Sequence, residues 1–191
     1  MIFVAIDFET ANQRKDSACS IGLKKMNEKG KVLSEYYALI RPKYPYFDPR
    51  CMAVNGLAEL SILRSPTFDV LWPEIKAFIG DCPLVAHNAS FDMSVLKYSL
   101  AACDIVVPEY EYYCTLQMSR KLMPLHRSYA LTSIVPEVLD LTYNAHNAAD
   151  DAYVCGLLFC YMLSKEAIKE KEDLDDYLLF KGSHYPKTIC F

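Results

Sequence analysis

The chain has 191 residues, 52% of them hydrophobic and 23% charged, with 20 basic and 24 acidic side chains and a formal net charge of −4. This length fits one domain with a buried core and a cleft. No apolar run reaches the roughly 20 residues of a membrane span, which excludes helical membrane classes, and the mild acidity argues against a broad basic surface.

Residues 2–6 are continuously apolar, as in a strand covered on both faces, and Asp7-Phe8-Glu9-Thr10 ends that strand. No basic leader precedes it. The eight cysteines lack a Cys-x-x-Cys pair or regular spacing and read as reduced, packed thiols. A cytoplasmic protein is the expectation from both features. Ser17 to Met26 and Val32 to Ile40 have strand character, with turn chemistry in Asn27-Glu28-Lys29-Gly30, so the chain opens as a three-stranded antiparallel unit.

The stretch from Arg41 to Pro66 carries Pro42, Pro45, Pro49 and Pro66 and reads mostly as loop with short helical turns. Apolar residues at 68, 71, 72, 75, 78 and 79 predict a helix over Phe68 to Ile79, and Pro83 to Ala86 follows as a short buried strand. Asn88 is placed to cap a helix running to about Ala102. Tyr112-Tyr113-Cys114 reads as another strand before a second helical segment. Asn147 precedes a long helix, Ala148 to about Lys165, with Val154, Cys155, Leu158, Tyr161 and Met162 on one face. From Glu166 the chain is charged at most positions before Tyr177-Leu178-Leu179-Phe180, which reads as a solvated helix with an apolar docking point or, alternatively, as a partner-binding appendage. The expected organisation is a domain over 1–165 and a charged extension over 166–191.

Asp7 and Glu9 are separated by one residue at a strand end, and the period of two puts both on one face. Two anions beside a low-dielectric core repel each other, which points to a hard cation bound through oxygen. Asp92, in Ala86-His87-Asn88-Ala89-Ser90-Phe91-Asp92, falls in a first helical turn, where the macrodipole favours a carboxylate. His146 and Asp151 are five apart, the histidine just before a helix and the aspartate in its opening turns. Asp150 competes with Asp151, but Asp151 shares the inward face of Val154, Cys155 and Leu158, from which Asp150 is turned by about 100°.

In order along the chain these are Asp-x-Glu, His-Asn-Ala-x-Phe-Asp and His-x-Ala-x-x-Asp. The sequence resembles the DnaQ-like, or DEDDh, exonuclease superfamily, with Asp7, Glu9, Asp92, His146 and Asp151 on its five letters. Asp-Phe-Glu-Thr-Ala-Asn at 7–12, Ser-Ala-Cys-Ser-Ile-Gly at 17–22, Val-Ala-His-Asn-Ala at 85–89 and Cys-Thr-Leu-Gln at 114–117 are similar to the bacterial branch related to the proofreading subunit of DNA polymerase III.

The resemblance implies an α/β, RNase H-like fold, with a central mixed five-stranded sheet flanked by helices. It implies a 3′→5′ exonuclease that releases 5′-mononucleotides from a nucleic-acid 3′ end, DNA favoured, as a polymerase subunit or free-standing. RNA trimming, or a binding module without catalysis, stands as the alternative. Two Mg²⁺ or Mn²⁺ ions would be held by Asp7, Glu9, Asp92 and Asp151, with His146 as general base. Thr10, His87, Asn88 and Phe91 map to contacts with the terminal nucleotide. Met52-Ala53-Val54-Asn55-Gly56-Leu57 departs from its family counterpart, with Asn55 where histidine is usual. Arg120, Lys121, His126 and Arg127 are the basic concentration before His146, placed to meet backbone phosphates.

Overall fold

The computed structural model describes residues 1–180 and 187–189. Strand β1 (Ile2–Thr10) pairs antiparallel with β2 (Ala18–Asn27), which pairs antiparallel with β3 (Val32–Leu39). On its other side β1 runs parallel to β4 (Leu84–Ala86), which is parallel to β5 (Glu111–Cys114). A two-residue strand, β6 (Lys187–Thr188), adds antiparallel to β5. The sheet is therefore mixed and six-stranded, in the order β3-β2-β1-β4-β5-β6. The five expected strands are present, and the sixth is too short to leave an alternation in sequence.

Helices α1 (Pro49–Asn55) and α2 (Glu59–Arg64) occupy the proline-rich stretch, and α3 (Phe68–Ile79) follows. Then come α4 (Ser90–Ala102), α5 (Thr115–Leu122), α6 (Leu131–Leu139), α7 (Ala148–Lys165) and α8 (Lys171–Phe180). Alternation along β1 sorts them onto two faces. Val4, Ile6 and Phe8 pack with α3 and α4, around Trp72, Ile75 and Leu96. Phe3 and Ala5 pack with α6 and α7, around Ile134, Val154, Leu158 and Phe159. A sheet buried on both faces explains why residues 2–6 are apolar without a break.

The charged tail is tied to this second face. Ile168, Leu174 and Leu178 belong to the α7 cluster, the Tyr113 hydroxyl donates to Asp175, and Lys171 bridges to Glu111 at 3.1 Å. Residues 181–186 and 190–191 of the expected extension lie outside the described residues. Among the described residues, no helix is long and apolar enough to cross a membrane.

Candidate active site

The parallel strands β1, β4 and β5 all point their carboxyl ends at one edge, where α/β sheets form their crevices. Asp7 and Glu9 continue the Phe3 and Ala5 face of β1 to that edge, under the start of α7. Asp7 pairs with Gly22 of β2, and a Cβ on Gly22 would lie 2.0 Å from the Ala148 carbonyl oxygen. Glycine there lets the first turn of α7 settle against the sheet. The result is that ligand oxygens of Asp7, Glu9 and Asp151 all lie within 4.8 Å of one another. Asp150 takes no part in the group.

Asp92 arrives from the opposite face of the sheet, in the first turn of α4. It is buried, with 2% of its surface exposed, and its Oδ1 accepts the Phe8 backbone N–H at 3.2 Å. The residue that separates Asp7 from Glu9 thus anchors the fourth carboxylate. Asp92 stands beside the other three rather than within their close group.

Burial, and then Asp92, Asp151 and Glu9, push the Asp7 pKa well above the usual carboxylate range. Glu9 is pushed up to about 8, by burial first and by Asp151 second. Burial raises Asp151 too, against the opposing pull of the Tyr143 hydroxyl, the His146 and Asn147 backbone and the His146 side chain. Asp92 is raised by burial, with the backbone N–H groups of Phe8 and Asp92 acting against it. An all-oxygen donor set held together against its own repulsion suits a hard divalent cation, which would restore the ionised forms.

His146 sits in the turn before α7, with φ of 63°, and its ring is exposed. Asn147 caps the helix, accepting from the N–H groups of Ala149 and Asp150. His146 and Asp151 border a cleft of about 590 Å³ that His87, Asn88, Arg120 and Arg127 also line. Of the four basic residues singled out in sequence, Lys121 and His126 are not in that lining, and His126 faces Glu137 at 2.8 Å.

The four residues expected to contact the nucleotide differ in their surroundings. Asn88 is exposed in a left-handed turn, φ 62°, and its carbonyl accepts the Phe91 N–H. It does not cap α4: the cap is Ala89, without a side-chain hydrogen bond. Its turn comes one residue too early, which leaves its amide at the cleft. His87 has both ring nitrogens engaged, Nδ1 with the Thr115 hydroxyl at 2.9 Å and Nε2 with the Tyr129 carbonyl at 2.8 Å. A carbonyl only accepts, so Nε2 carries the proton and Thr115 donates to Nδ1. Burial, with Arg120 adding to it, lowers the His87 pKa to about 4, so the ring is a neutral strut that pins the 123–130 loop.

Thr10 lies just past a register shift at the end of β1. Its carbonyl accepts the Asn55 amide at 3.4 Å, while Asn55 Oδ1 accepts the Leu57 N–H at 3.0 Å. Asn55 therefore ties α1 to the strand end. Phe91 is partly buried against the first core. Gly22 was not singled out in sequence, although a glycine inside a strand pattern is a signal of close backbone approach.

The sequence model of an exonuclease family, RNase T, matches residues 4–159. DNA polymerase III PolC-type of Thermotoga maritima is 29% identical over 193 residues, covering 95% of this chain and 14% of that protein. DNA polymerase III subunit epsilon of Treponema pallidum is 29% identical over 169 residues, covering 86% of this chain and 78% of that protein. The chain spans only 14% to 24% of the first curated relatives it matches. Exonuclease X in complex with 5′ overhanging duplex DNA superposes with a TM-score of 0.73 at 23% identity, over 91% of this chain and 98% of that one. The nuclease domain of 3′hExo, a DEDDh family member bound to rAMP, gives 0.77 at 16% identity, over 88% and 94%. These likenesses show an RNase H-like fold.

Proposed function

We propose, from the premise that the chain belongs to the RNase T exonuclease family, that it hydrolyses the last phosphodiester of a nucleic-acid 3′ end and releases a 5′-mononucleotide. The observation that carries this reading is the convergence of Asp7, Glu9 and Asp151 within 4.8 Å, with Asp92 hydrogen-bonded to the backbone between the first two. The four carboxylates would hold two Mg²⁺ or Mn²⁺ ions, which supply Lewis-acid charge to the phosphate and acidify a water. His146 takes the proton of the attacking water, a task suited to an exposed imidazole at a cleft mouth. The water oxygen bonds to phosphorus and the 3′ oxygen of the preceding nucleotide leaves.

Asn88, with its exposed amide, and Thr10 and Phe91 hold the terminal nucleotide, whereas His87 supports the cleft wall. Arg120 and Arg127, in the same cleft, meet phosphates farther along the strand. DNA is the favoured substrate because two relatives are DNA polymerase III proteins, and those relatives also support a polymerase as partner. The proposed site of action is the cytoplasm, where eight unpatterned cysteines stay reduced.

The test is a labelled-oligonucleotide assay, DNA and RNA side by side, in Mg²⁺, Mn²⁺ or EDTA. A 5′ label yields a ladder shortening from the 3′ end, a 3′ label yields mononucleotide at once, and EDTA stops both. Asp7→Ala loses at least roughly 100-fold in rate, and His146→Ala roughly 100-fold or more with metal binding retained. An Asp7→Ala protein as fast as wild type sinks the mechanism.

A further inference from the structure

The loop at 11–17 between β1 and β2 is built with unusual care for a surface turn. Asn12 and Ser17 are 3% and 2% exposed. The Asn12 amide donates to the Tyr46 carbonyl at 2.7 Å, its Oδ1 accepts the Arg14 N–H at 2.9 Å, and its own N–H donates to Ser17 Oγ at 3.3 Å. Arg14 and Asp16 spend their charges on each other in a two-point pair of 2.9 and 2.6 Å.

Lys15, between them, projects elsewhere. Its ammonium lies 3.7 Å from the centre of the Phe91 ring and feels Asp92 as its charged neighbour. Among the described residues it has no ion-pair partner within 4.0 Å, so its N–H donors are not consumed by a carboxylate. The Phe91 ring, set against the terminal nucleotide in the proposed function, thus also carries a cation, one held beside the carboxylate site by a loop tied down by its own hydrogen bonds.

We propose that Lys15 is a substrate-positioning residue that holds the phosphate of the terminal nucleotide. An ammonium is a strongly hydrated point charge, suited to a phosphate oxygen rather than to the edge or face of a base. Two divalent ions would do no more than offset the four carboxylates, and Lys15 supplies an additional attractive charge for the incoming polyanion at the Phe91 side of the site. Because every nucleotide has the phosphate, this contact makes the terminal position indifferent to base. The inference rests on the exonuclease reading of the same site.

The experiment compares wild type, Lys15→Met and Lys15→Arg on 5′-labelled oligodeoxynucleotides that end in each of the four bases. It adds calorimetric titration of dTMP and of thymidine in Mg²⁺. Loss of one charged contact raises KM roughly tenfold in the Met variant, with kcat within about twofold of wild type. The slope of log KM against log salt becomes shallower by about 0.7, as for one phosphate contact on a single strand. The dTMP affinity falls by a similar factor, thymidine affinity does not change, all four 3′ ends suffer equally, and Arg restores most of the loss. A Met variant with wild-type KM and dTMP affinity overturns the assignment, as does a loss shared by thymidine and dTMP or confined to kcat. Wild type that cleaves no oligonucleotide and binds no dTMP overturns the exonuclease reading and this inference together.

Discussion

Glu9 keeps its proton to about pH 8 in the folded, metal-free chain, against an ordinary value of 4.5. Asp7, Asp92 and Asp151 shift in the same direction. Between those two pH values the folded state binds protons that the unfolded state has released, so stability falls as pH rises through the window. Below it both states are protonated and the effect vanishes. In EDTA the thermal midpoint is expected to drop as pH is raised from about 5 to about 8, and Mg²⁺ is expected to raise it most at the alkaline end, where ligands ionise readily. A midpoint that climbs with pH in EDTA would contradict this. The carboxylates were legible in sequence because periodicity fixes direction: a period of two for Asp7 and Glu9, a 100° step for Asp151 over Asp150. The partners of His87, Asn55 and Lys15 were not, because Tyr129, Thr10 and Phe91 lie far along the chain and loops have no period.

Helix α7 and strand β2 set the geometry that those residues use. At Gly22 a methyl group would stand 2.0 Å from the Ala148 carbonyl oxygen and 2.6 Å from the Ala149 nitrogen, both backbone atoms that cannot turn aside. Gly22→Ala must lift the first turn of α7, and with it Asp151, away from Asp7. The expected cost is about 1–3 kcal/mol in urea denaturation, with a larger loss of cleavage than that destabilisation explains, measured where the variant is fully folded. Gly156 is a useful contrast, since a methyl there first meets the flexible Met26 sulphur, at 2.4 Å. Gly156→Ala is expected to spare the site. Long elements with clean patterns, α3 and α7, were readable to the residue. Helix α6 was not, being nine residues with Pro136 inside, and β6, with two residues, had no pattern to read.

At the scale of the whole molecule, charge composition divides the chain near residue 165, while packing does not. The tail's charges are on its surface, but Leu174 and Leu178 are fully buried, in the cluster that also contains Phe3 of β1 and Phe159 of α7. A run of acidic and basic residues hides two apolar side chains four apart, which is one helical face and too short a signal to outweigh the composition around it. An appendage free to detach would unfold separately and cheaply; a helix that completes the core beneath the central strand would not. Leu174→Ala is therefore expected to destabilise the whole domain by about 2–5 kcal/mol, seen as a lower urea midpoint in a single transition. Lys171→Ala, which removes only partly exposed ion pairs with Glu111 and Asp175, is expected to cost at most about 1 kcal/mol. A Leu174→Ala protein as stable as wild type would mean that α8 contributes nothing to the fold it covers. The predicted difference between the two variants locates the tail's contribution to stability in its apolar face rather than in its charges.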